Sequence, residues 1–296
     1  MRVLITGAAG FIGQIVASKL LEDESNELIV TDVIEPPIPS SKSHNNVKLI
    51  KADLVDETTK VVPESLDAAM LLHGIMSSGA EANFELGYRV NVDATRSVLN
   101  LLAKRCPGVR VLYASSEAVY GRPVPAKNVT EDDIPSPEMS YGCQKVICET
   151  LINDYTRRSM INGFALRFPT ISVRPGPPSA AVSSSLSGIE LGVIGCLLQR
   201  HDNLMVALTL PKDALPPHRR AVNMPGFGVT VQDMLDALEE VGGKEKLLLV
   251  EEKDEPELRS LLYSWADHFD NSLAISLGMK QDTSFVQSAR DYLETM

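Results

Sequence analysis

Short apolar runs alternate with longer stretches of helical period along the first two thirds of the chain. Residues 3–5, 28–31, 47–50, 68–72, 109–114 and 164–168 are brief, mostly apolar and bounded by turn-forming residues, as strands buried on both faces are. Between them the spacing predicts helices over 11–21, 80–104 and 140–155; in the second, Val90, Ala94, Val98, Leu101 and Leu102 fall near one face. Strands interleaved with helices predict an α/β fold, a doubly wound parallel sheet of Rossmann type. Past Pro169 the texture changes, and residues 173–187 are too rich in proline, glycine and serine to form a regular central element. Helical period returns over 231–241 and 257–269. The pattern divides the chain into a sheet domain over 1–170 and a smaller lobe over 171–296 that closes over the sheet and partly returns to it.

Composition narrows the function classes. The formal net charge is -11 with no basic cluster against it, which repels phosphate backbones and argues against a nucleic-acid partner. The four cysteines make no C-x-x-C pair, and the five histidines show no ligand spacing, so no metal site is expected. No apolar run is long enough to span a bilayer and no charged-then-apolar leader opens the chain, so a cytoplasmic protein is expected, with no membrane partner.

The first strand runs directly into Gly7-Ala8-Ala9-Gly10-Phe11-Ile12-Gly13 and then into a helix. Glycines there permit a tight turn, let backbone N–H groups approach a pyrophosphate, and let the helix pack on the strand. The helix N-terminus adds unpaired N–H donors and the positive end of its dipole. Asp32 lies nineteen residues past Gly13, at the end of the second strand, where a carboxylate accepts hydrogen bonds from an adenosine ribose. Its charge repels a 2′-phosphate, which favours NAD over NADP. Asp53 and Leu54, after the third strand, are candidates for the adenine edge.

Tyr141 and Lys145 stand four residues apart at the start of a predicted helix and share a face. A free tyrosine, with a pKa of about 10, is a poor base near neutrality. A neighbouring ammonium and an oxidised nicotinamide both favour the phenolate, which can then take the proton of an alcohol as hydride leaves for the cofactor. Ser116, at the end of the fifth strand and twenty-five residues before Tyr141, can hold the substrate oxygen.

These motifs, with Ser115-Ser116-Glu117-Ala118-Val119-Tyr120-Gly121 and Tyr141-Gly142-Cys143-Gln144-Lys145, resemble the extended short-chain dehydrogenase/reductase family of the sugar epimerase and dehydratase type. The resemblance implies catalytic roles for Ser116, Tyr141 and Lys145, and cofactor contacts for Gly7, Gly10, Phe11, Ile12, Gly13, Asp32, Asp53, Leu54, Asn91, Tyr141, Lys145 and Pro169. It implies a homodimer through helices near 80–104 and 140–158. Residues 76–84, 168–176 and 220–226 narrow it to a dehydrogenase branch that uses NAD to oxidise the C2 hydroxyl of a small sugar acid. The acid's carboxylate needs donors, for which Ser77, Ser78 and Arg174 are candidates.

The chain departs from the resemblance twice. Ile171-Ser172-Val173 stands where epimerases carry an asparagine-tyrosine-glycine turn, which argues against a nucleotide sugar. The interval between Ser187-Gly188-Ile189 and Leu208 is shorter than in relatives by about two dozen residues, judged against ordinary strand and loop lengths. Two other readings therefore stand beside the dehydrogenase: a nucleotide-sugar epimerase or dehydratase, and a regulatory protein that binds NAD without turnover.

Overall fold

The computed structural model describes residues 1–39, 46–121, 128–172, 190–250, 266, 268–282 and 284–293. Ten strands lie among them: β1 (Arg2–Thr6), β2 (Glu27–Asp32), β3 (Val47–Lys51), β4 (Ala68–Leu71), β5 (Arg110–Ser116), β6 (Asn162–Phe168), β7 (Thr170–Ser172), β8 (Glu190–Cys196), β9 (Ala221–Asn223) and β10 (Phe227–Thr230). Seven form one parallel sheet in the order β3-β2-β1-β4-β5-β6-β9. The order reverses between β1 and β4, which opens a crevice at the carboxyl ends of these two strands. A second sheet, β10-β8-β7, belongs to the later part of the chain.

Helices cover both faces. On one side α1 (Phe11–Leu20) packs with Leu204, Ala207 and Leu208 over Val3, Ile5, Leu28, Leu112 and Phe164. Those three residues belong to a helix over Leu197–Thr209, where the sequence pattern predicts no element. On the other side Val98, Leu99, Leu102, Cys148 and Ile152 cover Leu4, Ala69, Val111 and Tyr113. The last two of these helical residues lie on the helix Ser140–Arg157, which starts where the sequence predicts it and runs two residues further. The chain after residue 190 therefore supplies β9 to the main sheet and apolar side chains to its core, besides the small sheet.

Two expectations need correction. The stretch 80–104 is not one helix. It resolves into Ser77–Ala82, Phe84–Tyr88 capped by the Asn83 side chain, a π-helical turn over Arg89–Asp93, and Ala94–Arg105. The π turn inserts a residue into the helical repeat and rotates the face that follows. Asn91, Thr95 and Leu99 are consequently buried, while Val90 and Leu101 are only half-buried. A helix reaching Phe269 is also excluded. Residues 251–265 lie outside the described residues, but Phe269 bridges Val129 in extended pairing, with Val129 N–H donating to the His268 carbonyl at 2.9 Å.

Candidate active site

At the switch point the glycine loop follows β1. Gly7 has φ +69, and a Cβ there would lie 2.6 Å from the His73 backbone nitrogen; a Cβ on Gly13 would lie 2.5 Å from the Gly7 carbonyl oxygen. The loop is thus packed against the end of β4 on one side and against the first turn of α1 on the other. Gly10 caps α1 with no side-chain hydrogen bond, and no acidic residue sits in the first turn. The N–H groups of Phe11, Ile12 and Gly13 keep the unpaired donors of a helix start. Asp32 tethers the loop: its carboxylate accepts from the Ala9 N–H at 2.9 Å and the Val33 N–H at 2.7 Å. Each carboxylate oxygen retains a lone pair for a ribose hydroxyl. The residues fit a dinucleotide, with the pyrophosphate on the α1 N-terminus and the ribose on Asp32. Asp53 turns its own carboxylate to the Val55 N–H at 2.9 Å, and Leu54 is buried beneath the end of β3.

Across the crevice, Tyr141 and Lys145 project from the first turns of the helix Ser140–Arg157 toward β5. The Lys145 ammonium donates to the Ala114 carbonyl at 2.6 Å and sits 5.3 Å from the Tyr141 ring centroid and 4.8 Å from that of Tyr113. Burial pushes the Tyr141 phenol up to about 12, against the pull of its hydrogen bond to Ser116. Burial pushes the Lys145 ammonium down to about 8, with the nearby Cys148 and Glu149 opposing. The Ser116 oxygen accepts from the Ala118 N–H at 3.1 Å, which leaves its own hydrogen free to donate.

Close approach of the helix to the turn that follows β5 depends on Gly142, to which the sequence reading gave no role of its own. A Cβ there would lie 2.2 Å from the Ala118 carbonyl oxygen and 2.6 Å from Pro137 Cβ. Glu81, near the end of Ser77–Ala82, accepts from the Ser140 N–H at 3.0 Å and so caps the helix start.

Asn91 sits in the π turn with both ends of its amide engaged. Its oxygen accepts from the Ile75 N–H at 2.7 Å, and its nitrogen donates to the Ile75 carbonyl at 3.0 Å and to Gln144 Oε1 at 2.6 Å. This braces the loop that carries Gly74 against Lys145 and leads into Ser77 and Ser78, the first two residues of their helix. His73 joins the same brace, 2.7 Å from Thr6 Oγ1 and 3.1 Å from Thr95 Oγ1. Pro169 is buried directly after β6. Arg174 and the proline-rich stretch 173–187 lie outside the described residues. Gln144 and His73 were not legible as site residues, because a lone buried polar residue carries no spacing signal.

The chain matches the model of the NAD dependent epimerase/dehydratase family over residues 3–188. It belongs to that family. Its cofactor is accordingly NAD, and the fold is the one the sequence pattern predicts. It is 33% identical over 315 residues to a D-erythronate dehydrogenase of Haemophilus influenzae, covering 99% of each chain. It is 34% identical over 325 residues to a D-erythronate dehydrogenase of Cupriavidus necator, covering 99% of this chain and 98% of that one. A solved structure described as a nucleoside-diphosphate-sugar epimerase from Agrobacterium tumefaciens superposes with a TM-score of 0.90 at 30% identity, covering 99% of this chain and 94% of that chain. Among the described residues there is no cluster of potential metal ligands and no helix long and apolar enough to cross a membrane.

Proposed function

We propose that this enzyme oxidises the C2 hydroxyl of D-erythronate, or a sugar acid close to it, to the 2-oxo acid. The observation that carries the reading is the convergence of Ser116, Tyr141 and Lys145 beside the dinucleotide cradle, in a chain similar from end to end to D-erythronate dehydrogenases. NAD, when bound, accepts the hydride from C2. Ser116 donates to the C2 oxygen and sets its distance from Tyr141. Tyr141 takes the hydroxyl proton as the general base. Lys145, held between Ala114 and the Tyr141 ring, lowers the cost of the phenolate by charge attraction. Asn91 holds the loop that carries Gly74 beside the Lys145 ammonium. Ser77, Ser78 and Arg174 are assigned to the substrate carboxylate.

The test is incubation of the purified protein with NAD and a panel of four- to six-carbon sugar acids, followed by NADH absorbance. Turnover of D-erythronate, reduced by about a thousandfold or more in Tyr141→Phe with NADH binding retained, supports the reading. NADH binding without turnover of any acid favours the regulatory alternative. The likeness to a solved nucleoside-diphosphate-sugar epimerase keeps one competitor in view: interconversion of a nucleotide sugar with no net NADH, read by chromatography of the sugar products.

The same reading takes the enzyme to be a cytoplasmic homodimer. Ile147, 37% exposed, and the half-buried Leu151 and Tyr155 line the outer face of their helix beside Leu101 and offer an apolar surface to a second copy. Light scattering of the purified protein at twice the 32.2 kDa chain mass supports the dimer; a monomer overturns it.

A further inference from the structure

Directly behind Ser116 and Tyr141 lies a buried polar cluster that the reaction above does not use. Ser115 donates to Glu149 Oε1 at 2.5 Å. Arg167 grips the same carboxylate twice, Nε to Oε1 at 2.9 Å and Nη2 to Oε2 at 2.7 Å. Arg167 also donates to the Tyr120 hydroxyl, which is itself shared between the Thr130 carbonyl and Asn223 Oδ1 at 3.0 Å each. Ser115, Glu149 and Arg167 are each nine-tenths or more buried.

The three partners come from three elements. Ser115 precedes Ser116 at the end of β5. Glu149 follows Lys145 by one helical turn and Tyr141 by two, on the same helix. Arg167 is next to Phe168 and Pro169 at the end of β6. Successive strand residues point to opposite faces, so a bond that fixes Ser115 toward the helix fixes the direction in which Ser116 faces the crevice. A bidentate guanidinium–carboxylate pair is rigid in plane as well as distance.

We propose that Glu149, through Ser115 and Arg167, is a positioning residue that locks the ends of β5 and β6 to the helix bearing Tyr141 and so sets the Ser116–Tyr141 distance. This rests on the dehydrogenase reading for its kinetic test but not for its spectroscopic one. Orientation of this kind acts on the chemical step, because a misplacement of about 1 Å can cost up to about a hundredfold in rate. It leaves the cofactor cradle on β1 and β2 untouched.

Ser115→Ala removes the link to β5 while sparing the buried ion pair, and Ser115→Thr restores a hydroxyl. For Ser115→Ala, kcat for sugar-acid oxidation is expected to fall about tenfold, with KM for NAD and the NADH dissociation constant within twofold of wild type. Ser115→Thr recovers most of the loss. A second readout needs no turnover: NMR titration of the Tyr141 phenol in NAD-loaded protein labelled at the hydroxyl-bearing tyrosine carbon, assigned by loss of the signal in Tyr141→Phe. It is expected to move to higher pH in Ser115→Ala, because a displaced Ser116 no longer donates to the phenolate, and to return in Ser115→Thr. An unchanged titration overturns the proposal. So does a Ser115→Ala enzyme whose kcat stays within twofold of wild type, or one whose NADH affinity falls as far as its kcat. A wild-type protein that turns over no sugar acid sinks the dehydrogenase reading alone, and the titration then decides the positioning role.

Discussion

Lys145 reaches its place at a cost to the fold. Its ammonium must leave water on folding, and its pKa drops from 10.5 to about 8. Between those two values the unfolded chain binds more protons than the folded one, so stability rises with pH across that window and the whole penalty is present below pH 8. The apo Lys145→Met protein is therefore expected to be more stable than wild type at pH 7, by up to about 3 kcal/mol, with the gain shrinking above pH 8 as activity is lost. Denaturant unfolding at neutral and alkaline pH reads this directly. His73 works at the acid end. Thr95 donates its hydrogen to the Asn91 carbonyl, so at the imidazole it accepts from Nε2–H, and Nδ1 accepts from Thr6. Burial and the Lys145 charge push His73 down to about 3 from 6.5. The folded state binds fewer protons in that interval, and stability falls as pH drops through it. His73→Gln is expected to flatten the acid limb of the stability profile; an unchanged limb would assign it to other groups.

Among the elements, those that stood out in the sequence are the ones whose burial is one-dimensional. The five interior strands β2, β1, β4, β5 and β6 are buried on both faces and show as apolar runs, and the glycine loop shows because Gly10 and Gly13 are set by contacts within one β-turn-α unit. The π turn at Asn91 did not show, since one inserted residue shifts the apolar period without breaking it. The helix Leu197–Thr209 was missed because its described core residues, Leu204, Ala207 and Leu208 with Met205 and Val206 packed against the same core, form one unbroken apolar run that shows no helical period. The Glu149–Arg167 pair was invisible because its members sit on different elements and meet only after the helix packs on β6. Removing one member leaves a buried charge alone, so Glu149→Gln is expected to destabilise the protein by about 3–5 kcal/mol. Gly142→Ala forces its methyl into the Ala118 carbonyl. It is expected to cost about 1–3 kcal/mol of stability, with a larger loss in kcat than in NADH affinity. Thermal unfolding and fluorescence titration with NADH separate the two effects.

For the whole molecule, the candidate site is an intersection of two assemblies. The cradle rests on β1, α1 and β2. The acid–base group rests on β5 and the helix that starts at Ser140, with the Asn91 brace between them. Sequence order gave away both assemblies but not how they are joined, because the joining contacts are single buried amides and hydroxyls. The two D-erythronate dehydrogenases align with this chain over 315 and 325 residues, covering 99% of it in each case. Whether this chain oxidises at C2 is answered most directly with D-erythronate carrying deuterium at C2, incubated with NAD and the enzyme, the label followed by mass spectrometry. The account expects one deuterium in each NADH formed and a 2-oxo acid without it. Unlabelled NADH, or an acid returned with its label intact and its NAD unreduced, would contradict oxidation at C2.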